Sequence, residues 1–376
     1  MYNLQVYAAM IYDTRRVEAY QRALQLVINP NSVVVDIGTG LGILAFLASQ
    51  AGARKVYAIE PCEIIAVARE LAQVNGLQRI EFIENVSNRV TLPEPADVIV
   101  HDLGGAIPLY AQSLSSIVDA RKRLLKPHGV LIPKRDILWA AVVNAAAFHA
   151  RNIAPSTDRA LGLDMRLAWN MAANICCNKR PAELLTAPQR ITILDYSEVE
   201  DPNVHKQITW HVARAGIGHG ISVWFDRMLV DGVRFSTAPS EPAMIYGRLF
   251  FPWPEPVELD ENDVIVLDLR ADSLSNDYIW SWNTTVSSGT REKREFKQST
   301  FFGEPRSPSR MRKRRATHIP RLNEDGESDR LVLHLMNGKN AIQDIASELQ
   351  QRFPVQFPSI EDAIGHVAEL SVKYSL

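Results

Sequence analysis

Cysteine is scarce in this chain: Cys62, Cys176 and Cys177 are the three among 376 residues. Two are neighbours and the third stands alone, so neither a disulfide framework nor a zinc-ligand spacing can be assembled. A reducing, cytoplasmic setting and no bound metal are the expectation. Long apolar runs are missing as well. None reaches the roughly 18–20 residues of a membrane-spanning helix, and the opening MYNLQVYAAMIYDTRR lacks the basic-then-apolar order of a secretory signal. Net charge is small, at −2, which argues against wholesale nucleic-acid binding. The charge is unevenly spread, however. Between Arg291 and Arg315, ten Lys or Arg residues face three Glu.

What is present is the composition of a folded protein, 46% hydrophobic and 22% charged. The length suggests two or three domains. From Ser32 to about Arg135, short β-branched runs alternate with helical stretches. The runs are Val33–Ile37, Val56–Ile59, Ile80–Ile83, Val98–Val100 and Val130–Ile132. This order predicts an α/β domain with parallel strands over residues 1–140. Residues 140–185 read as helices, Ala141–Arg151 among them. Strand-like pieces then recur from Arg190 to about Thr285: Ile191–Tyr196, Gln207–Val212, Ile221–Phe225, Tyr246–Phe251, Val264–Leu269 and Tyr278–Trp282. Their spacing predicts an antiparallel sandwich or barrel over 141–285. The polar, basic stretch 286–315 reads as a linker. In residues 316–376, a strand-like Thr317–Leu322 precedes three helices. One carries Ile342, Ile345, Ala346, Leu349 and Phe353 on one face, and the last opens on a capping box, Ser359 to Asp362. That is the size of a small winged-helix module.

The sharpest local signal is VVVDIGTGLGIL, Val33 to Leu44. An apolar strand ends in Asp36, and Gly38, Gly40 and Gly42 follow before a helix, so that the backbone can turn and approach a ligand closely. Glu60 ends the next strand 22 residues beyond Gly38, placed to accept from a ribose diol. A nicotinamide dinucleotide is one candidate. The Asp-x-Gly-x-Gly-x-Gly spacing and the helix-to-strand turn RLLKPHGVLIP favour S-adenosylmethionine (SAM), which has no pyrophosphate for a helix end to bind.

Several further segments, in order, resemble protein arginine methyltransferases: MIYDTRRVEAY (Met10 to Tyr20), AGARKVYAIE (Ala51 to Glu60), GLDMRLAW (Gly162 to Trp169) and SVWFDRMLVDGVRFSTAPSEP (Ser222 to Pro242). The resemblance implies a Rossmann-like SAM-binding domain followed by an antiparallel β-barrel with a helical dimerisation arm at about 145–188, hence a homodimer. It implies that Arg16 meets the SAM carboxylate and that the N-terminal helix bearing Met10 folds over the cofactor. Asn88 stands where the family has an adenine-contacting Glu. The departures fall on the chemistry. That family holds its acceptor guanidinium between two Glu on one loop. Here, in HDLGGAIPLYAQS, Asp102 stands for the first Glu and Ala111 for the second, with Gln112 adjacent. The family's Thr-His-Trp loop aligns with Met244-Ile245-Tyr246. Three readings stay open: arginine N-methylation with a rebuilt site, methylation of another acceptor, or a non-catalytic SAM-binding scaffold. Asp102 is the expected positioner of the acceptor nitrogen. His101 is either a base beside it or a side chain on the other face of the sheet, and Tyr246 is a candidate wall of an acceptor channel.

RLNEDGESDRLVLHLMNGKNAIQDIASELQQRF, Arg321 to Phe353, is similar to PqqD-like domains. That resemblance implies a module that binds the leader of a ribosomally made precursor peptide, by adding it as a strand at a sheet edge. The expected partner is accordingly a peptide or protein substrate, with neither nucleic acid nor membrane.

Overall fold

The β-branched runs of the first half form β1 (Val33–Ile37), β2 (Lys55–Ile59), β3 (Ile80–Ile83), β4 (Ala96–His101) and β5 (Leu125–Ile132). The computed structural model describes residues 3–375 other than 154–158, 161, 180–182, 275–276, 290 and 306. All five strands are parallel, in the order β3-β2-β1-β4-β5. Every residue of β1 is buried, because neighbouring strands flank it and helices cover the sheet. The helices of this region are α1 (Leu4–Tyr12), α2 (Thr14–Val27), α3 (Ile43–Gln50), α4 (Ile64–Val74) and α5 (Ser113–Arg123). Strand order reverses between β1 and β4, and ligands of open α/β sheets bind at the carboxyl ends of strands flanking such a point. Gly38 follows one of these strands and Asp102 the other.

The chain then enters two antiparallel sheets. β6 (Arg135–Asn144) is followed by α6 (Ala146–Asn152), the two-residue strands β7 (Arg159–Ala160) and β8 (Leu163–Asp164), α7 (Arg166–Ala172), β9 (Cys177–Lys179) and β10 (Glu183–Leu184). After these come β11 (Gln189–Asp195), β12 (Val204–His211), β13 (Gly216–Val230), β14 (Val233–Ser236), β15 (Arg248–Leu259), β16 (Val264–Leu274) and β17 (Asp277–Ser287). One sheet runs β10-β6-β13-β15-β9, with β11 also on β6 and β14 on β13. The other runs β12-β16-β17 and ends in β18 (Arg294–Phe296).

Two local readings are corrected. Residues 141–144 belong to a strand, and the helix starts at Ala146. The alanines that favour a helix there are overruled by burial: Leu138 and Ala140 to Val143 are enclosed, and β13 and β11 take up the backbone bonds of β6. The stretch 286–315 is not a bare tether either. β18 extends the second sheet, and α8 (Thr300–Gly303) and α9 (Pro308–Lys313) follow.

Two compact units divide at Glu304/Pro305. The second contains α9, α10 (Glu324–Leu335), α11 (Ile342–Arg352) and α12 (Ile360–Tyr374). Asn323 caps α10 by accepting from the Gly326 N–H, and the Ser359–Asp362 capping box at α12 is formed. Val332, Ile345, Ala346, Leu349, Phe357, Ala363 and Val367 make its core. Thr317–Leu322 is not a strand: it is exposed throughout, and no second strand is described nearby to pair with it. Among the described residues this unit is therefore helical, without the sheet of a winged helix. No helix among the described residues is long and apolar enough to cross a membrane.

Because the second unit has its own small core, Leu349→Ala should loosen it alone. Such a truncation costs about 2–5 kcal/mol. Amide exchange in α11 and α12 of the full chain should accelerate at least tenfold while β1 and β4 remain protected. Equal acceleration in both units would show that they unfold together.

Candidate cofactor and acceptor site

Asp36, the penultimate residue of β1, is fully buried. Its Oδ2 accepts from the Thr39 hydroxyl at 2.5 Å and the Ala45 N–H at 2.9 Å, tying the loop to the start of α3. Its Oδ1 has no partner among the described residues. Burial pushes the carboxyl pKa up to about 7, against the lowering effect of those two bonds. Gly38 and Gly40 take the left-handed conformation, with φ of 71° and 55°. A Cβ on Gly38 would lie 2.5 Å from Leu103, and one on Gly40 would lie 2.8 Å from the Tyr7 ring. The loop is thus closely roofed by α1 and by the segment after β4. Gly42 is the N-cap of α3. Glu60 is nearly buried and accepts from the Gly40 N–H at 3.1 Å and the Cys62 N–H at 3.2 Å.

The N-terminal helices are pinned over this loop by Asp13. One of its oxygens accepts from the Arg16 N–H as the cap of α2, and the other accepts from the Ile245 N–H at 2.7 Å. Arg16 donates through Nε to Asp102 at 2.6 Å and through Nη1 to the Met10 carbonyl at 2.9 Å.

Asp102 is the centre of the site. Besides Arg16 it accepts from Arg227 Nη1 at 2.8 Å, from the Tyr20 hydroxyl at 3.2 Å, and from the Tyr246 hydroxyl at 2.8 and 2.9 Å. Arg227 donates in turn to Asp136 through Nε at 2.9 Å and Nη2 at 2.7 Å, and Tyr196 donates to Asp136 at 2.5 Å. Burial alone would raise the Asp102 pKa. Arg16 and Arg227 outweigh it and hold the carboxyl below its ordinary value. Tyr246 stacks on Phe235, with centroids 5.7 Å apart, and Phe225, Phe235 and Tyr246 surround the Arg227 guanidinium.

Met10, Arg16, Asp102 and Tyr246 therefore converge, beside the loop of Asp36, Gly38, Gly40, Gly42 and Glu60. His101 does not join them. It is fully buried, its ring lies edge-on to Tyr196 at 5.3 Å, and neither ring nitrogen has a partner among the described residues. Burial, with Arg227 nearby, drives its pKa down to about 3, so it is neutral and closed off from an acceptor. The reading of His101 as a base is corrected to the other-face alternative. Asn88 is exposed, in a single helical turn at Ser87–Arg89. Ala111, at φ 46°, brings no carboxylate. Arg227, Asp136, Tyr20, Thr39, Tyr7 and Leu103 were not singled out from the sequence as site residues. A cation within the apolar strand VWFDRMLV was the available signal for Arg227.

Comparison with known proteins agrees with this construction. The family described as ribosomal protein L11 methyltransferase (PrmA) matches residues 19–134. The chain is 30% identical over 255 residues to a probable protein arginine N-methyltransferase 6 of Arabidopsis thaliana, covering 63% of this chain and 56% of that one. It is 28% identical over 285 residues to protein arginine N-methyltransferase 6 of Xenopus tropicalis, covering 71% and 83%. Among solved structures, Arabidopsis thaliana protein arginine methyltransferase 10 superposes with a TM-score of 0.66 at 25% identity, covering 78% of this chain and 96% of that one. The Trypanosoma brucei PRMT1 enzyme-prozyme heterotetrameric complex with AdoHcy gives a TM-score of 0.72 at 20% identity, covering 79% and 98%, a likeness of fold.

The raised pKa of Asp36 has a signed consequence. A carboxyl whose folded pKa exceeds its unfolded value of roughly 4 contributes most stability below that value and loses it as pH rises through about 7. Without cofactor, the melting temperature of the parent chain should fall relative to Asp36→Asn between pH 5 and pH 8. A pH-independent difference would mean that Asp36 is already ionised throughout.

Proposed function

We infer that this chain, a SAM-dependent methyltransferase of the protein arginine methyltransferase type, adds methyl groups to arginine side chains of a peptide or protein. The observation that carries this reading is the chemistry around Asp102. A carboxylate held ionised at the end of β4 sits among aromatic faces in a setting that already accommodates guanidinium groups.

The residues at the loop fit SAM. Glu60 has acceptor capacity left for a ribose diol after its two backbone bonds. Asp36 Oδ1, which has no partner among the described residues, suits an ammonium. Arg16 has guanidinium N–H groups beyond those given to Asp102 and Met10, suited to a carboxylate. Met10 and Asn88 would flank the remainder. Bound SAM supplies a methyl group already activated by its sulfonium. Asp102 would hold the acceptor guanidinium and localise a lone pair on the nitrogen that faces the methyl. Tyr246, stacked on Phe235, would wall its approach. With an activated donor, the work of these side chains is alignment and electrostatics. Ala111 contributes nothing to that grip, so it rests on Asp102.

Around this centre, the segment 145–188 would pair two copies as a homodimer. Residues 316–376, in keeping with the PqqD-like resemblance, would recruit the substrate, such as a precursor-peptide leader, in the cytoplasm. Their all-helical build supports capture by helix faces rather than by an added strand. Recruitment on the same chain raises the local concentration of acceptor. One observation favours a second reading, a non-catalytic SAM-binding partner subunit: Asp102 already accepts from four side chains.

Incubation with methyl-labelled SAM and an arginine-rich peptide panel should place label in methylarginine after acid hydrolysis. Label in another amino acid would move the acceptor, and no label with SAM still bound would favour the partner-subunit reading. Deleting 316–376 should raise the KM for a cognate peptide at least tenfold, with little change for short generic peptides. An unchanged KM would sink the recruitment role.

A further inference from the structure

We propose that Arg227 is a specificity-determining residue: its guanidinium is a resident stand-in for the acceptor, and a substrate arginine gains Asp102 only by replacing that contact. The proposal rests on the arginine reading above.

Arg227 lies on β13 directly opposite Asp136 on β6 and is 1% exposed. A buried cation needs a counter-ion, and Asp136 supplies one through two bonds. That bidentate pair accounts for the charge without help. Yet the remaining edge of the guanidinium reaches out of the barrel sheet to Asp102, across 125 residues of sequence. Charge neutralisation of Arg227 does not require this third contact, and the contact falls on the carboxylate at the switch point.

Its effect on Asp102 follows from counting lone pairs. An ionised carboxylate offers about four acceptor sites. Arg227 and Arg16 fill one site each, the single Tyr246 hydroxyl proton is shared between the two oxygens, and the Tyr20 hydroxyl divides its proton between Asp102 at 3.2 Å and the nearer His101 carbonyl at 3.0 Å. One site remains, and a substrate guanidinium that grips Asp102 through two N–H groups needs two, so a donor has to leave. Of the two cationic donors Arg227 leaves more cheaply, because both of its charge-assisted bonds to Asp136 survive, whereas Arg16 keeps only the Met10 carbonyl. Charge points the same way. Arg16 and Arg227 balance Asp102 and Asp136, so an incoming guanidinium adds one uncompensated positive charge to a buried cluster. Arg227 thus weakens acceptor binding while leaving the SAM loop untouched.

The test compares two variants with the parent chain. Asp136→Asn with Arg227→Met removes the cation together with its counter-ion, so no lone buried charge is created at that pair. Arg227→Lys keeps a cation for Asp136 but replaces the two-edged fork by a single ammonium that no longer bridges to Asp102. It therefore tests the same point with the buried pair retained. Both should lower the KM for an arginine peptide, the double variant at least tenfold and the lysine variant less, with SAM affinity near that of the parent. Simple structural damage would instead lower kcat without lowering KM. Should the double variant not fold, the lysine variant decides. Methylarginine formation with an unchanged or higher KM in the folded variants overturns the role of Arg227 alone. Absence of methylarginine from every form, while all bind SAM, overturns the arginine reading and this proposal with it.

Discussion

Four charges buried between the parallel sheet and the antiparallel sheets hold this molecule's functional geometry together. Asp102 stands at the end of β4, Arg16 on α2, Arg227 on β13 and Asp136 on β6. Each belongs to a different element, and the two cations and two anions compensate one another. In a low-dielectric setting each of these charges is tolerable only while a counter-charge remains beside it. The bonds among them tie α2 and the carboxyl end of β4 to the barrel-like sheets. Tyr20 and Tyr246 extend the same network, so α2 and the loop before β15 are referred to one carboxylate.

The N-terminal helices reach that centre through a second tether. Asp13 uses one oxygen to cap α2 and the other to take the Ile245 N–H. The helix cap and the loop contact are therefore the same side chain. With Tyr7 over Gly40 and Arg16 on Asp102, the segment before β1 forms part of the wall of the glycine loop. The chemistry of the site lives in this joint arrangement more than in any one motif.

How much of this can be read from sequence depends on the range over which a residue acts. The glycine loop, Asp36 and Glu60 form a local pattern whose meaning comes from strand–turn–helix geometry, and their placement was legible. Arg16 was legible through a resemblance that spans a single helix. Asp136 and Arg227 were not, since they meet across 91 residues and only when β6 and β13 pair. The alanines of β6 favour a helix locally and become strand through enclosure. The orientation of His101 hinged on strand parity, which left two faces open until its neighbours were placed. Thr317–Leu322 shows the converse: a β-like pattern without a partner strand stays irregular and exposed.

The pairing of Arg227 with Asp136 also bears on how such a sequence can drift. Loss of either partner alone strands a buried charge, a change of about 3–5 kcal/mol, whereas exchange of both for apolar or neutral residues is close to neutral. The two positions are therefore energetically one unit. A chain that loses the pair one member at a time passes through a state with a stranded buried charge, so the two changes have to come nearly together.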